Sequence, residues 1–155
     1  MDPALLWKFG HIAAMFAAVS IFVGQGALEG AVARSGDVPA LRRVLAAEDR
    51  FAPIGGGLYL LGIALGLIAA LTGGFGLLQP WLVIGYVLAA VILINAFAYH
   101  IPTANRLKEL AEASPTEPSP QLRAAIDAPI VRVMIVLDSV VWLALIFVMV
   151  VKPFS

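Results

Sequence analysis

The chain has 155 residues, room for one domain, and is 61% hydrophobic but only 13% charged, with a formal net charge of zero. Soluble domains carry roughly 25% charged residues, so a mean hydropathy of +0.96 excludes an ordinary water-soluble domain. No basic patch stands without nearby acids, which excludes nucleic acid as a partner, and the absence of Cys excludes disulfides, thiolate metal sites and Cys-linked haem.

Trp7 and Lys8 precede the first apolar run, which has no clean small-residue cleavage site. It reads as a retained helix, not a signal peptide. The spacing predicts a first span over about 9–28, bounded by Lys8 and Glu29 and near the roughly 20 residues needed to cross hydrocarbon. Between them, Phe51 and Asn105 enclose no Asp, Glu, Lys or Arg. That stretch is too long for one span. Gly73-Gly74-Phe75-Gly76 and Gln79-Pro80 break it into spans over about 53–72 and 81–101. A fourth span covers about 130–151 and carries one charge, Asp138. Pro53 and Pro129 suit first-turn positions, and Pro102 and Pro153 suit stops. Backbone in lipid must bond to itself, so the expected fold is all-α: a four-transmembrane-helix bundle forming a single integral membrane domain over 1–155.

Arg34, Arg42, Arg43 and Arg50 fall between spans 1 and 2, and Arg106, Lys108, Arg123 and Arg132 between spans 3 and 4. The positive-inside rule places both of these loops in the cytoplasm and both termini outside. Trp7 and Trp81 then fall where outer interfacial anchors belong. The loops carry short helices of their own. Pro39–Phe51 is amphipathic and suited to the inner interface, while Ser119-Pro120 caps a helix over Gln121–Ala128 after a Pro/Ser-rich hinge. Ala52-Pro53-Ile54 and Ala128-Pro129-Ile130 hint at two related halves.

Polar residues at membrane depth call for a functional reading. His11, Gln25 and Glu29 share one face of helix 1. Asn95 and Asp138 fall at matching depth and are placed to hydrogen-bond between helices 3 and 4, a common structural glue. Gln25, Glu29, His100 and Arg132 share a depth near the inner boundary, as a polar cluster or as ordinary snorkelling ends. The two histidines lie in opposite leaflets, roughly 20 Å apart in depth, so they cannot share one haem within a chain. A single axial His11 remains, with Met15 one turn away. Gly62 and Gly66 form a Gly-x-x-x-Gly face, and Ala13, Ala14, Ala17 and Ala18 a small-residue surface, both suited to close helix packing. No nucleophile–base set, phosphate loop or paired catalytic carboxylate is present, so no enzyme class is assigned.

Trp7-Lys8-Phe9-Gly10-His11-Ile12 at the start, Trp81-Leu82 opening helix 3, and Val150-Val151-Lys152-Pro153-Phe154 at the end carry a resemblance. The chain resembles a bacterial family of four-helix integral membrane proteins of unknown function, itself similar to HemJ-type protoporphyrinogen oxidases and copper-resistance D-type membrane proteins. The resemblance covers the whole order of spans, on short motifs. It implies a multi-pass protein of the bacterial inner membrane, with His11 as a ligand to haem b. It departs at Gly85, where the oxidases carry Lys, and over Phe16–Gly30, where this chain has no Arg. Two functions are consistent with this: a haem-associated or redox protein acting through His11, or a non-catalytic accessory subunit of a respiratory or photosynthetic membrane complex. Expected partners are the bilayer and either such a complex or further copies of the chain.

Overall fold

The computed structural model describes residues 3–153, so Phe154 of the C-terminal motif lies outside the described residues. The described residues are helical almost throughout, with no strand among them. The elements are α1 (Pro3–Ser35), α2 (Val38–Thr72), α3 (Pro80–Asn95), a π-helical turn (Ala96–His100), α4 (Ile101–Ala113), α5 (Pro120–Ile126) and α6 (Pro129–Val151). Four stretches are long and apolar enough to cross a membrane: Pro3–Ser35, Val38–Thr72, Pro80–Ala113 and Pro120–Val151. The chain divides into two compact units, one through Leu77 and one from Leu78 onward. Each is a helical hairpin.

In the first hairpin, α1 turns into α2 through Gly36, whose φ of 77° needs a residue without Cβ. Asp37 then caps α2, its Oδ1 accepting from Ala40 N at 2.8 Å. The helices pack through small residues. Ala14 and Ala18 are buried on α1, and Gly55, Tyr59 and Gly62 on α2. A Cβ built at Gly55 would come within 2.9 Å of the Phe22 ring, and one at Gly62 within 2.8 Å of the Met15 sulfur. The glycines are therefore notches into which larger α1 side chains fit, and they let the backbones approach.

Both helices outrun the lipid. At 1.5 Å per residue, the 33 residues of α1 and 35 of α2 reach about 50 Å, against roughly 30 Å of hydrocarbon. The apolar spans 9–28 and 53–72 lie inside them. Glu29–Ser35 and 38–52 continue as helix beyond the membrane-spanning segments. The separate amphipathic helix expected over Pro39–Phe51 is thus the first part of α2. Pro53, expected in a first turn, sits inside the helix. Proline removes one hydrogen bond there, but its fixed φ suits a helix and the surrounding bonds hold it. Pro53 and Pro129 therefore occupy different local structures, which removes the local likeness behind the suggested related halves.

The helix break after span 2 falls where the glycines predict. Gly73 caps α2, Gly74 adopts φ 77°, and Phe75 N returns to Ala70 O at 2.9 Å.

In the second hairpin, α3 packs on α6 and α4 on α5. Gly85 lies against the Met149 side chain. Trp81, which stands where an outer interfacial anchor is expected, is buried within this hairpin. Its Nε1 donates to Gln79 Oε1 at 2.6 Å and the Lys152 ammonium lies 5.2 Å from its ring centre. The helix does not stop at Pro102. The π turn precedes it, with Ile101 N bonded to Ala96 O, five residues back. This wider turn loosens the backbone just where the proline ring would crowd a preceding carbonyl. Ser119 caps α5 as expected, accepting from Leu122 N at 3.2 Å, and Leu122 is fully buried.

Large apolar side chains line the outside of the spans, among them Phe16, Leu60, Phe97, Val136, Leu143 and Phe147, all more than half exposed. Such a surface is suited to lipid and not to water.

Candidate functional site

Three polar constellations stand out, and His11 heads the first. Its ring lies over Gly66, where an added Cβ would come within 2.7 Å of Nδ1 and 2.9 Å of Cε1. Nδ1 lies 2.7 Å from the Gly62 carbonyl oxygen. A carbonyl only accepts, so Nδ1 carries the proton, and the neutral ring keeps its lone pair on Nε2. Nε2 makes no hydrogen bond with any described residue. Met15, one turn on, places its sulfur at the seam beside Gly62. A groove of about 400 Å³ reaches the neighbouring residue Gly10 and is lined by Pro3, Leu6, Trp7, Gly10 and Leu65, without His11 itself.

The second constellation joins α3, the π turn and α6. Asn95 Nδ2 donates to Asp138 Oδ1 at 2.5 Å, the bond that matching depth predicts. His100 Nε2 lies 2.8 Å from Asp138 Oδ2 and 3.5 Å from Asn95 Nδ2. The Tyr99 ring meets His100 edge-on at 5.2 Å. Within the second hairpin, His100 is thus partnered by Asp138. Arg132 is exposed on α6 with no hydrogen bond or ion pair to a described residue.

The register of the π turn explains the pairing. In an α-helix, five residues leave two side chains about 140° apart. A π turn holds ~4.4 residues, so the same five bring them within about 50°. Asn95 and His100 thus share a face, and both reach Asp138. The sequence shows no π turn directly; the only hint is Pro102 closely following polar residues in an apolar run.

Beyond the membrane-spanning segment, the first hairpin brings Glu48 of α2 close enough to Glu29 of α1 for the two carboxyls to act on each other, a pairing that a separate helix over 39–51 does not suggest. Glu48 Oε1 and Gln25 Nε2 are buried without partners among the described residues. Burial, followed by the Glu29 charge and hydrogen bond and then the Asp49 charge, pushes Glu48 up from 4.5 to about 8.

Comparison with known proteins finds no matching family model, curated protein or solved structure. The residues must therefore carry the functional argument themselves. Among the described residues, no three His, Asp or Glu side chains converge on a metal position.

The Glu48 shift has a measurable sign. A carboxyl with a raised folded pKa binds more protons in the native state than in the unfolded one. Its contribution is most favourable below about 4.5 and is lost as pH rises to about 8. Glu48→Gln escapes that loss. Thermal unfolding in detergent should show the variant gaining on wild type between pH about 5 and about 9. The gain should be about 1–2 kcal/mol, reduced by solvent screening of a half-exposed group. A constant difference across that range would rule out the raised Glu48 carboxyl.

Proposed function

We propose that this chain is a multi-pass protein of the bacterial inner membrane, with both termini outside, whose His11 ligates haem b through Nε2 in a haem-associated or redox role. The observation behind this reading is the hydrogen bond from His11 Nδ1 to the Gly62 carbonyl. Metal-binding imidazoles are characteristically held this way: one nitrogen donates to a carbonyl or carboxylate, which fixes the tautomer and aims the other at the metal. The fit is chemically suitable. Nε2 is the ring atom farther from the side chain's own backbone and makes no hydrogen bond with a described residue, and the groove that reaches Gly10 is apolar, like the face of a porphyrin. Gly62 and Gly66 act behind the ligand, one as hydrogen-bond acceptor and the other as a seat. Haem, when bound, supplies one-electron chemistry; His11 supplies attachment and a fixed orientation. The resemblance to HemJ-type enzymes points to the same histidine.

The test is an absorption spectrum of the purified protein, oxidised and reduced, from cells with ample haem. A Soret band is expected in wild type and in His100→Ala, and should be absent from His11→Ala. A haem-free wild type would overturn the reading and leave the accessory-subunit alternative, which purification of the native complex would address.

A further inference from the structure

The two histidines present opposite nitrogens. At His11 the outer atom, Nε2, is left over. At His100, Nε2 faces the Asp138 carboxylate. A carboxylate accepts, so Nε2 carries the proton and the lone pair of the neutral ring sits on Nδ1. Nδ1 lies next to the ring's attachment point, where the side chain's own backbone crowds anything as broad as a porphyrin. A proton needs no such room. Asn95 Nδ2 is the more distant neighbour of Nε2, at 3.5 Å against 2.8 Å for Asp138 Oδ2; Nδ1 makes no hydrogen bond with a described residue, and the His100 side chain is half exposed, against 28% for Asp138. A groove of about 480 Å³ opens beside its neighbour Tyr99, with Thr103, Arg106 and Gln121 in its lining. The groove runs from Arg106 to Tyr99, the residue before His100. Asp138 lies deeper in the apolar span, where an ionisable group is costly to keep and is a functional candidate by default. The π turn, itself a costly departure from regular helix that is frequent at functional sites, brings His100 to it.

We infer that His100 and Asp138 form a proton-transfer pair, loading a proton from water at the Arg-rich side onto a carboxylate inside the span. Nδ1 takes a proton from a water molecule, leaving hydroxide, and the ring becomes imidazolium. The Nε2–H bond then breaks and its proton bonds to Asp138 Oδ2. The products are a neutral carboxylic acid and a neutral imidazole protonated on Nδ1. Loss of that proton from Nδ1 to water and return of the Asp138 proton to Nε2 resets the pair. Asn95, donating to Oδ1, keeps the receiving oxygen turned toward the ring. Asp138 is the charged group bonded to His100; Arg106 on α4 and Arg132 on α6 lie further toward the Arg-rich end. This pair lies wholly within the second hairpin and is independent of haem at His11.

The test uses the full chain in lipid vesicles, acidified rapidly and followed by infrared difference spectroscopy. Wild type should develop the carbonyl band of a protonated carboxyl group, and Asp138→Asn should lack it. In His100→Gln the band should reach the same height about tenfold more slowly or worse. Added imidazole should restore the rate in His100→Gly, a rescue that a purely structural role would not give. Equal rates in wild type and His100→Gln, or no Asp138 band after acidification, would overturn the pair. Nitrogen NMR on wild type tests it without any variant. Neutral His100 should carry its proton on Nε2 and His11 on Nδ1; a His100 proton on Nδ1 would equally refute the assignment.

Discussion

Gly66→Val should cost the protein about 2–4 kcal/mol and disrupt the His11 site in the same step. The first added carbon already falls within 2.7 Å of His11 Nδ1 and 2.9 Å of Cε1. The ring cannot simply swing away, because Nδ1 is tied to the Gly62 carbonyl. Relief requires either breaking that bond, which leaves a half-buried donor unsatisfied, or separating α1 from α2 along their tightest seam. Overpacking of a close-fitted contact costs about 1–3 kcal/mol, and the lost bond adds about 1 kcal/mol. Gly57→Val is the matched control. It puts the same side chain on the same helix at a position where nothing lies within 4 Å. Unfolding of both variants in detergent should separate them clearly. If they prove equally stable, the glycine seam is not what holds this hairpin.

Deleting Ala104 should have the second large effect, and deleting Ala98 should not. The π turn holds one residue more than an α-helix would need, and Ala98 lies within it. Removing Ala98 lets the helix close to regular geometry. His100 then follows Asn95 by four residues of α-helix, about 40° round the axis, close to the ~50° of the π turn. It still faces Asp138, and Leu107 and Ala111 keep their buried places. Ala104 lies in the regular helix α4. Its deletion turns Leu107 and Ala111 by about 100° relative to the π turn, and exposing a buried Leu forfeits about 1.5–3 kcal/mol. Both variants should keep their helix content by circular dichroism, but only the Ala104 deletion should unfold well below wild type. Equal loss of stability in the two would show that the π turn is not one extra residue that the helix can discard.

These residues also show what a sequence can reveal here. Hydropathy locates the lipid-facing ends well: the span read to Thr72 ends at Thr72, and the one read to Val151 ends at Val151. On the Arg-rich side it failed, because hydropathy reports where hydrocarbon ends and not where helix ends. Residues 39–52 are rich in Ala, Leu, Arg and Glu, which favour helix in water as well as in lipid. Proline misleads at 53 and 102 for a related reason. Its ring forbids one hydrogen bond, and a long helix absorbs that loss. The polar sites divide in the same way. Asn95 and Asp138 were legible because depth in a regular helix is a matter of counting. His100 was not, since one extra residue in a turn changes the face without changing the composition. Glu48 is obscured because it lies on the part of α2 that precedes the apolar span, where hydropathy gives no sign that the helix has begun.

The overrun of α1 and α2 bears on the bilayer that this hairpin can occupy. A helix ending at the lipid surface exposes unpaired carbonyls or amides as soon as the membrane thickens over it. Here the backbone stays fully bonded for several turns past the apolar segment, so the membrane surface meets continuous helix wherever it falls. Moving that surface by a few ångströms changes only which side chains are wet, and Arg34 and Arg42 are long enough to follow it. The first hairpin is therefore tolerant of hydrophobic mismatch on its Arg-rich side. On its other side α2 stops at Gly73 and the chain turns, so adjustment to thickness must take place almost entirely at one surface.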